Sequence, residues 1–175
     1  MALAGGWLAW PQPRLELWDQ DRGRALLSLP AAAGDEAVIS FHHSYDRAPF
    51  SEHYRLRPGG GFVLARLVFR SALNGQGFVG GVYRALPGGW AEVDRLDQPM
   101  AEVGFRLGSP DLADHALIFA GRRLRLLDHA QAGDLLSLRF TTRPRWRTLE
   151  PAAWMTTPAA SAGGLGGEDG GAHGN

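Results

Sequence analysis

The chain runs Ala37-Val38-Ile39-Ser40-Phe41-His42-His43-Ser44, then Tyr45-Asp46-Arg47-Ala48-Pro49-Phe50, then Ser51-Glu52-His53-Tyr54-Arg55-Leu56-Arg57. The two outer segments are rich in β-formers and alternate apolar with polar side chains, whereas the interval between them carries Asp46 and Pro49 and reads as a loop. An antiparallel hairpin with Ser44 facing Ser51 follows. In that register His43 opposes Glu52, Phe41 opposes Tyr54 and Ile39 opposes Leu56 on one face, with His42 opposite His53 and Ser40 opposite Arg55 on the other. The first face is apolar except for His43 and Glu52, so it is expected to point inward.

Similar segments extend in both directions. Strands are expected near Arg14 to Trp18, Ala25 to Leu29, Phe62 to Ser71, Gly80 to Ala85, Trp90 to Arg95, Ala101 to Leu107, His115 to Phe119, Arg123 to Leu127 and Leu135 to Thr142. Asp21-Arg22-Gly23, Pro58-Gly59-Gly60-Gly61, Leu86-Pro87-Gly88-Gly89 and Ala120-Gly121 separate them with residues that tolerate positive φ or preset φ where a chain reverses. A sustained helical period is missing, and Pro110 to Asp114 allows one turn at most. The expected fold is all-β, an antiparallel sandwich or barrel of about eight to ten short strands.

The 175 residues suit one domain that folds without covalent staples. Residues 1–12 read as a short apolar stub, 13–149 as the β domain, and 150–175 as a Gly/Ala-rich tail that buries too little apolar surface to order. Met1 to Trp10 lacks a basic region and a full apolar stretch, so neither an export signal nor a membrane span is expected from the chain as written. Absence of cysteine excludes disulfides, thiolate metal sites and a cysteine nucleophile. Eighteen basic residues balance eighteen acidic ones, which argues against nucleic acid as a partner. Every basic residue is arginine, so Schiff-base and P-loop lysine chemistry are excluded as well.

Two readings of the hairpin stand. His43 and Glu52 form a polar centre at the mouth of the domain that holds a ligand amine, a metal or a transferable proton, or they satisfy each other and lock the loop. On the outer face, His42 and His53 would hold a divalent metal if Asp46 supplied a third ligand. No other cofactor is expected. Asn74-Gly75-Gln76-Gly77-Phe78 offers a tight loop whose amides approach a ligand beside the first pair. Serines with His43 or His115 and Asp114 or Asp128 form a hydrolytic triad only on paper, because the chain has no Gly-x-Ser-x-Gly elbow.

The elements Arg14-Leu15-Glu16-Leu17, Leu26-Leu27-Ser28-Leu29-Pro30, Phe41-x-His43-Ser44, Pro49-x-x-Glu52-x-Tyr54 and Gly75-x-Gly77 together resemble the bacterial family DUF1850, over roughly Arg14 to Phe140. His43, Ser44, Glu52, Tyr54, Gly75 and Gly77 are the matching positions. The resemblance implies a small cell-envelope or periplasmic protein whose gene lies beside those of tripartite, binding-protein-dependent (TRAP) transporters of the TAXI subtype. It therefore implies an accessory or binding role toward a transporter component or a small solute, and no activity travels with it. A reduced hydrophobic leader and an added Gly-rich tail depart from the pattern, and a cytoplasmic version or a truncated start would each explain the first. The opposing expectations are a small metal-dependent enzyme built on His42, His43 and His53, and a purely structural domain.

Overall fold

A computed structural model of the chain describes residues 11–43, 47–70 and 80–144. Its strands are β1 (Pro11–Asp19), β2 (Arg24–Pro30), β3 (Glu36–His43), β4 (Ala48–Leu56), β5 (Phe62–Phe69), β6 (Val82–Ala85), β7 (Ala91–Asp94), β8 (Gln98–Met100), β9 (Glu102–Arg106), β10 (Ala116–Phe119), β11 (Arg122–Arg125) and β12 (Leu135–Pro144). A small sheet takes the order β2-β1-β12-β9. The large one takes β11-β10-β3-β4-β5-β7-β6, with β8 also on β5. All pairings are antiparallel and neither sheet closes on itself, so the architecture is a sandwich and the barrel alternative falls.

Each expected strand within the described residues forms, with ends displaced by up to three residues. Two expectations are corrected. The strand count exceeds the estimate partly because β8 exists, a three-residue strand interrupted by Pro99 and paired with β5 alone, where an edge position tolerates a missing amide proton. Pro11 and Gln12, assigned to the stub, belong to β1 and pair with Pro144 and Arg143. The tail and the rest of the stub lie outside the described residues.

The core lies between the sheets. Leu15 and Leu17 of β1, Leu136, Leu138 and Phe140 of β12 and Val103 of β9 meet Ala37, Ile39, Tyr54, Leu56, Phe62, Leu117 and Phe119 of the large sheet. Burying each large side chain contributes roughly 1.5–3 kcal/mol. The spacing of apolar residues in β5 explains how one strand serves this core through Phe62 and a second cluster, with Phe50, Ala91, Val93 and Leu96, through Leu67 and Phe69. Phe62 and Leu64 share one parity, Leu67 and Phe69 the other, and a bulge at Ala65 reconciles them: Tyr54 pairs with Leu64 and His53 with Arg66. All four side chains then face inward. The Ala65 carbonyl accepts the Leu96 N–H at 3.2 Å, where the neighbouring edge divides between β7 and β8.

The register of β3 against β4 differs from the expected one by four residues. Ala37 opposes Tyr54, Ile39 opposes Glu52, Phe41 opposes Phe50 and His43 opposes Ala48. An even shift preserves which residues share a face, so the inward assignment of Ile39, Phe41, His43, Glu52, Tyr54 and Leu56 holds. Apolar burial explains the choice. The expected register strands Phe50 in the loop, whereas the observed one buries it against Phe41 and Phe69, with ring centroids 5.2 and 5.6 Å away. Pro49, read as a loop residue, fits at the start of β4 because its carbonyl accepts Arg70 N–H at the last rung toward β5, where a missing amide proton interrupts nothing.

Among the described residues no helix is long and apolar enough to cross a membrane.

Deleting Ala65 is expected to remove the bulge and leave Phe62, Leu64, Leu67 and Phe69 in one alternating row, whereas deleting Val63 turns Phe62 out of the core and removes several kcal/mol of stability, a large share of a small domain's total. Urea denaturation compares the two, and a Val63 deletion with the higher midpoint would contradict the bulge.

Candidate functional site

At one end of the sandwich the inner faces of the sheets stop short of each other and leave a cleft of about 830 Å³. Its walls come from Phe41, His42 and His43 of β3, Phe50 and Glu52 of β4, the segment Arg106 to Ser109 after β9, and Leu112, Ala113 and His115. The wall nearest β3 is the single turn expected at Pro110 to Asp114. Ser109 begins it, its carbonyl accepting the N–H groups of Leu112, Ala113 and Asp114, and Ala113 in turn accepts the His42 N–H at 2.8 Å. That last bond clamps the turn to the end of β3.

A run of rings passes along the cleft, and its members His115, Phe41, Phe50 and His43 line it. Phe105, His115, Phe41, Phe50 and Phe69 follow one another at centroid separations of 5.5, 5.0, 5.2 and 5.6 Å, and His43 joins at 6.1 Å from Phe50. Phe105 belongs to the small sheet and Phe41 to the large one, so His115 bridges the two layers. Its Nδ1 accepts the Gly108 N–H at 3.2 Å, which assigns the ring proton to Nε2 in the neutral form. Burial lowers its pKa and outweighs the opposing pull of Asp114, so the ring is neutral at neutral pH. Gly108 has to be glycine for this contact, since a Cβ there would sit 2.5 Å from Ala113 Cβ and 3.3 Å from the His115 ring.

Glu52 forms the floor. Its Oε2 accepts the Tyr54 O–H at 2.7 Å, a contact between neighbours on one strand face. Oε1 has no hydrogen-bond partner among the described residues and is not sealed from the cleft. Desolvation by burial raises the Glu52 pKa, against a smaller lowering by the Tyr54 hydrogen bond. Tyr54 is pushed well above the ordinary phenol value by burial and then by the Glu52 charge, so its hydroxyl remains a donor.

These positions revise the expected pairs. His43 and Glu52 both line the cleft, but they are four residues apart in register, about 13 Å along the strand, and the Phe41–Phe50 pair stands between them. The mutual hydrogen bond expected of them is not made, and Glu52 takes Tyr54 as partner. His42 and His53 are no longer opposed either: His42 faces Pro49 and His53 faces Val38. His53 instead belongs to an ion ladder across the outer face of the large sheet. Its Nδ1 lies 3.1 Å from Glu36, Arg66 bridges Glu36 at 3.4 Å and Glu92 at 3.7 Å, and Arg84 joins Glu92 and Asp94 at 3.1 and 3.3 Å. Among the described residues no three His, Asp or Glu side chains are grouped to hold a metal. Ser44, Asp46, Gly75 and Gly77 lie outside the described residues.

Arg106, Gly108, Leu112 and His115 enter the site without having been expected there. The available signal was local: Gly108-Ser109-Pro110 opens the turn that His115 closes. Their proximity to Glu52 depends on how two sheets stack, which no spacing along the chain encodes.

The family model described as domain of unknown function DUF1850 matches residues 38–126, half of the chain. The chain belongs to the DUF1850 family. The matched span holds β3 to β11 and, with them, nearly every cleft residue, while β1, β2 and β12 of the small sheet lie outside it. DUF1850 therefore describes chiefly the large sheet and the cleft end of the molecule. No curated protein and no solved structure matches the chain.

Because the folded state raises the Glu52 pKa, it binds that proton more tightly than the unfolded chain, and the residue costs stability as pH rises above the ordinary glutamate value of 4.5. Glu52→Gln keeps the size and the acceptor for Tyr54. Its melting temperature is expected to match the wild type in acid and exceed it by a few degrees at neutral pH. Calorimetry across that range checks the sign, and a variant less stable at neutral pH than in acid, relative to wild type, would contradict it.

Proposed function

We propose that this domain is a binding module that takes a small solute into the cleft above Glu52 and serves solute uptake by a TAXI-type TRAP transporter at the cell envelope. The observation that carries the binding role is the open Oε1 of a largely buried carboxyl on the floor of a mostly apolar cleft. A carboxyl placed for stability alone would have both oxygens satisfied or would stand in water. Here one oxygen is held by Tyr54 and the other is available to a visitor. Walls of Phe41, Phe50, Leu107 and Leu112 supply apolar contact, and the few polar groups supply orientation, the usual composition of a small-molecule site.

The transporter link rests on the resemblance drawn from Phe41-x-His43-Ser44 and Pro49-x-x-Glu52-x-Tyr54, and the envelope placement rests on the same ground. The metal-enzyme alternative loses support from the separation of His42, His43 and His53 over two faces of the sheet.

The full chain, used as bait in solubilised native membranes, is expected to recover TRAP transporter subunits, and Glu52→Ala is expected to lose them while retaining a cooperative melt. Equal recovery by the two proteins would remove the cleft from the interaction. Recovery of no transporter subunit by either would contradict the accessory role.

A further inference from the structure

Resting on the cleft as the binding site, we infer that its ligand is a primary ammonium on an apolar body, with Glu52 Oε1 as the counter-ion and the rings of His115, Phe41 and Phe50 as the wall against which the apolar body lies.

Three observations lead to this class of ligand. Among the described residues Glu52 is the acidic residue of the cleft lining, and its free oxygen accepts a hydrogen bond when ionised. Tyr54 already donates to Oε2, so Oε1 is the oxygen without a donor among the described residues, and one N–H of an ammonium satisfies it. Phe41 and Phe50 present ring surface beside it, and aromatic faces attract an ammonium as well as hydrocarbon.

The other charged and titratable groups around Glu52 permit a cation there. Tyr54 on its own strand is a neutral donor, and His115 beside β10 is neutral at neutral pH. His43 and His42, on β3, stand toward the far end of the hairpin beyond the Phe41–Phe50 pair. Arg106, at the end of β9, is exposed and directs Nη1 to the Gly133 carbonyl at 2.6 Å, at the rim of the cleft. A neutral or anionic ligand head would leave the Glu52 carboxylate buried and without a counter-charge, at a cost the ammonium removes. Leu112, an exposed large apolar side chain, extends the wall toward solvent and lengthens the apolar body the cleft accepts.

The test uses the full chain with hexylamine and hexanol, probes of one length that differ in the head group, titrated calorimetrically at neutral pH. Hexylammonium is expected to bind wild type at least about tenfold more tightly than hexanol, the worth of one charge-assisted hydrogen bond. Glu52→Gln is expected to lose that preference while keeping hexanol affinity, which also reports that the variant is folded. In wild type the hexylammonium affinity should rise as pH is raised through the ionisation of Glu52.

Equal affinities for the two probes, or a preference that survives Glu52→Gln, would overturn the ammonium assignment and leave the cleft as a binding site. Binding of neither probe would overturn the assignment and the cleft reading together.

Discussion

The pairing of Phe41 with Phe50 is the contact on which the rest of this end of the molecule depends. It sets the register of β3 against β4, and so fixes that Glu52 lies opposite Ile39 and that His43 lies two rungs nearer the loop. It also places two rings in the middle of the run that starts at Phe105 in the small sheet and ends at Phe69 in the large one. Had the hairpin paired as the loop-like look of Pro49 suggests, Phe50 would lose its burial, which is worth roughly 2 kcal/mol. The ring run would then be broken between Phe41 and Phe69.

The same contact creates the site's tension. A carboxyl belongs in water, yet the register seats Glu52 on the inner face, one rung from the phenylalanine pair and one from Tyr54. Tyr54 satisfies one oxygen, and burial still outweighs it in setting the direction of the pKa shift. Positions of this kind, which oppose folding and are tolerated, concentrate at binding and catalytic sites. Glu16 shows the contrast. It is buried too, on the outer face of the small sheet, but Trp18, Ser28 and Thr141 all donate to it, and it reads as a structural acid.

Much of the fold was legible along the chain because strand identity is local. Alternation in Arg14 to Trp18 and Leu135 to Thr142, and the turns at Gly23 and Ala120-Gly121, carry their own signals, and Ala120 and Gly121 do adopt the positive φ values of a two-residue hairpin turn. The inward face of the central hairpin was legible as well, since parity survives any even slip. The register was not, because it was decided by the burial of Phe50 and by a proline whose missing donor falls where no partner is needed. Glu52 and His43 were rightly assigned to one face, but what separates them is a contact between rings. The remaining half of the cleft, from Arg106 to His115, carries a turn that was legible at Pro110 to Asp114, but its approach to Glu52 depends on how the two sheets stack.

The central claim is that Glu52 is a desolvated carboxyl kept open to a ligand, and its own titration tests that most directly. Carbon-13 NMR of the Glu52 carboxyl, assigned by comparison with Glu52→Gln, should show a midpoint above 4.5 in the free protein. A lower midpoint is expected once the cleft is filled with hexylammonium, because a bound cation favours the ionised form. A free-protein midpoint at or below 4.5 would mean that the carboxyl is solvated or fully partnered, and would contradict the account.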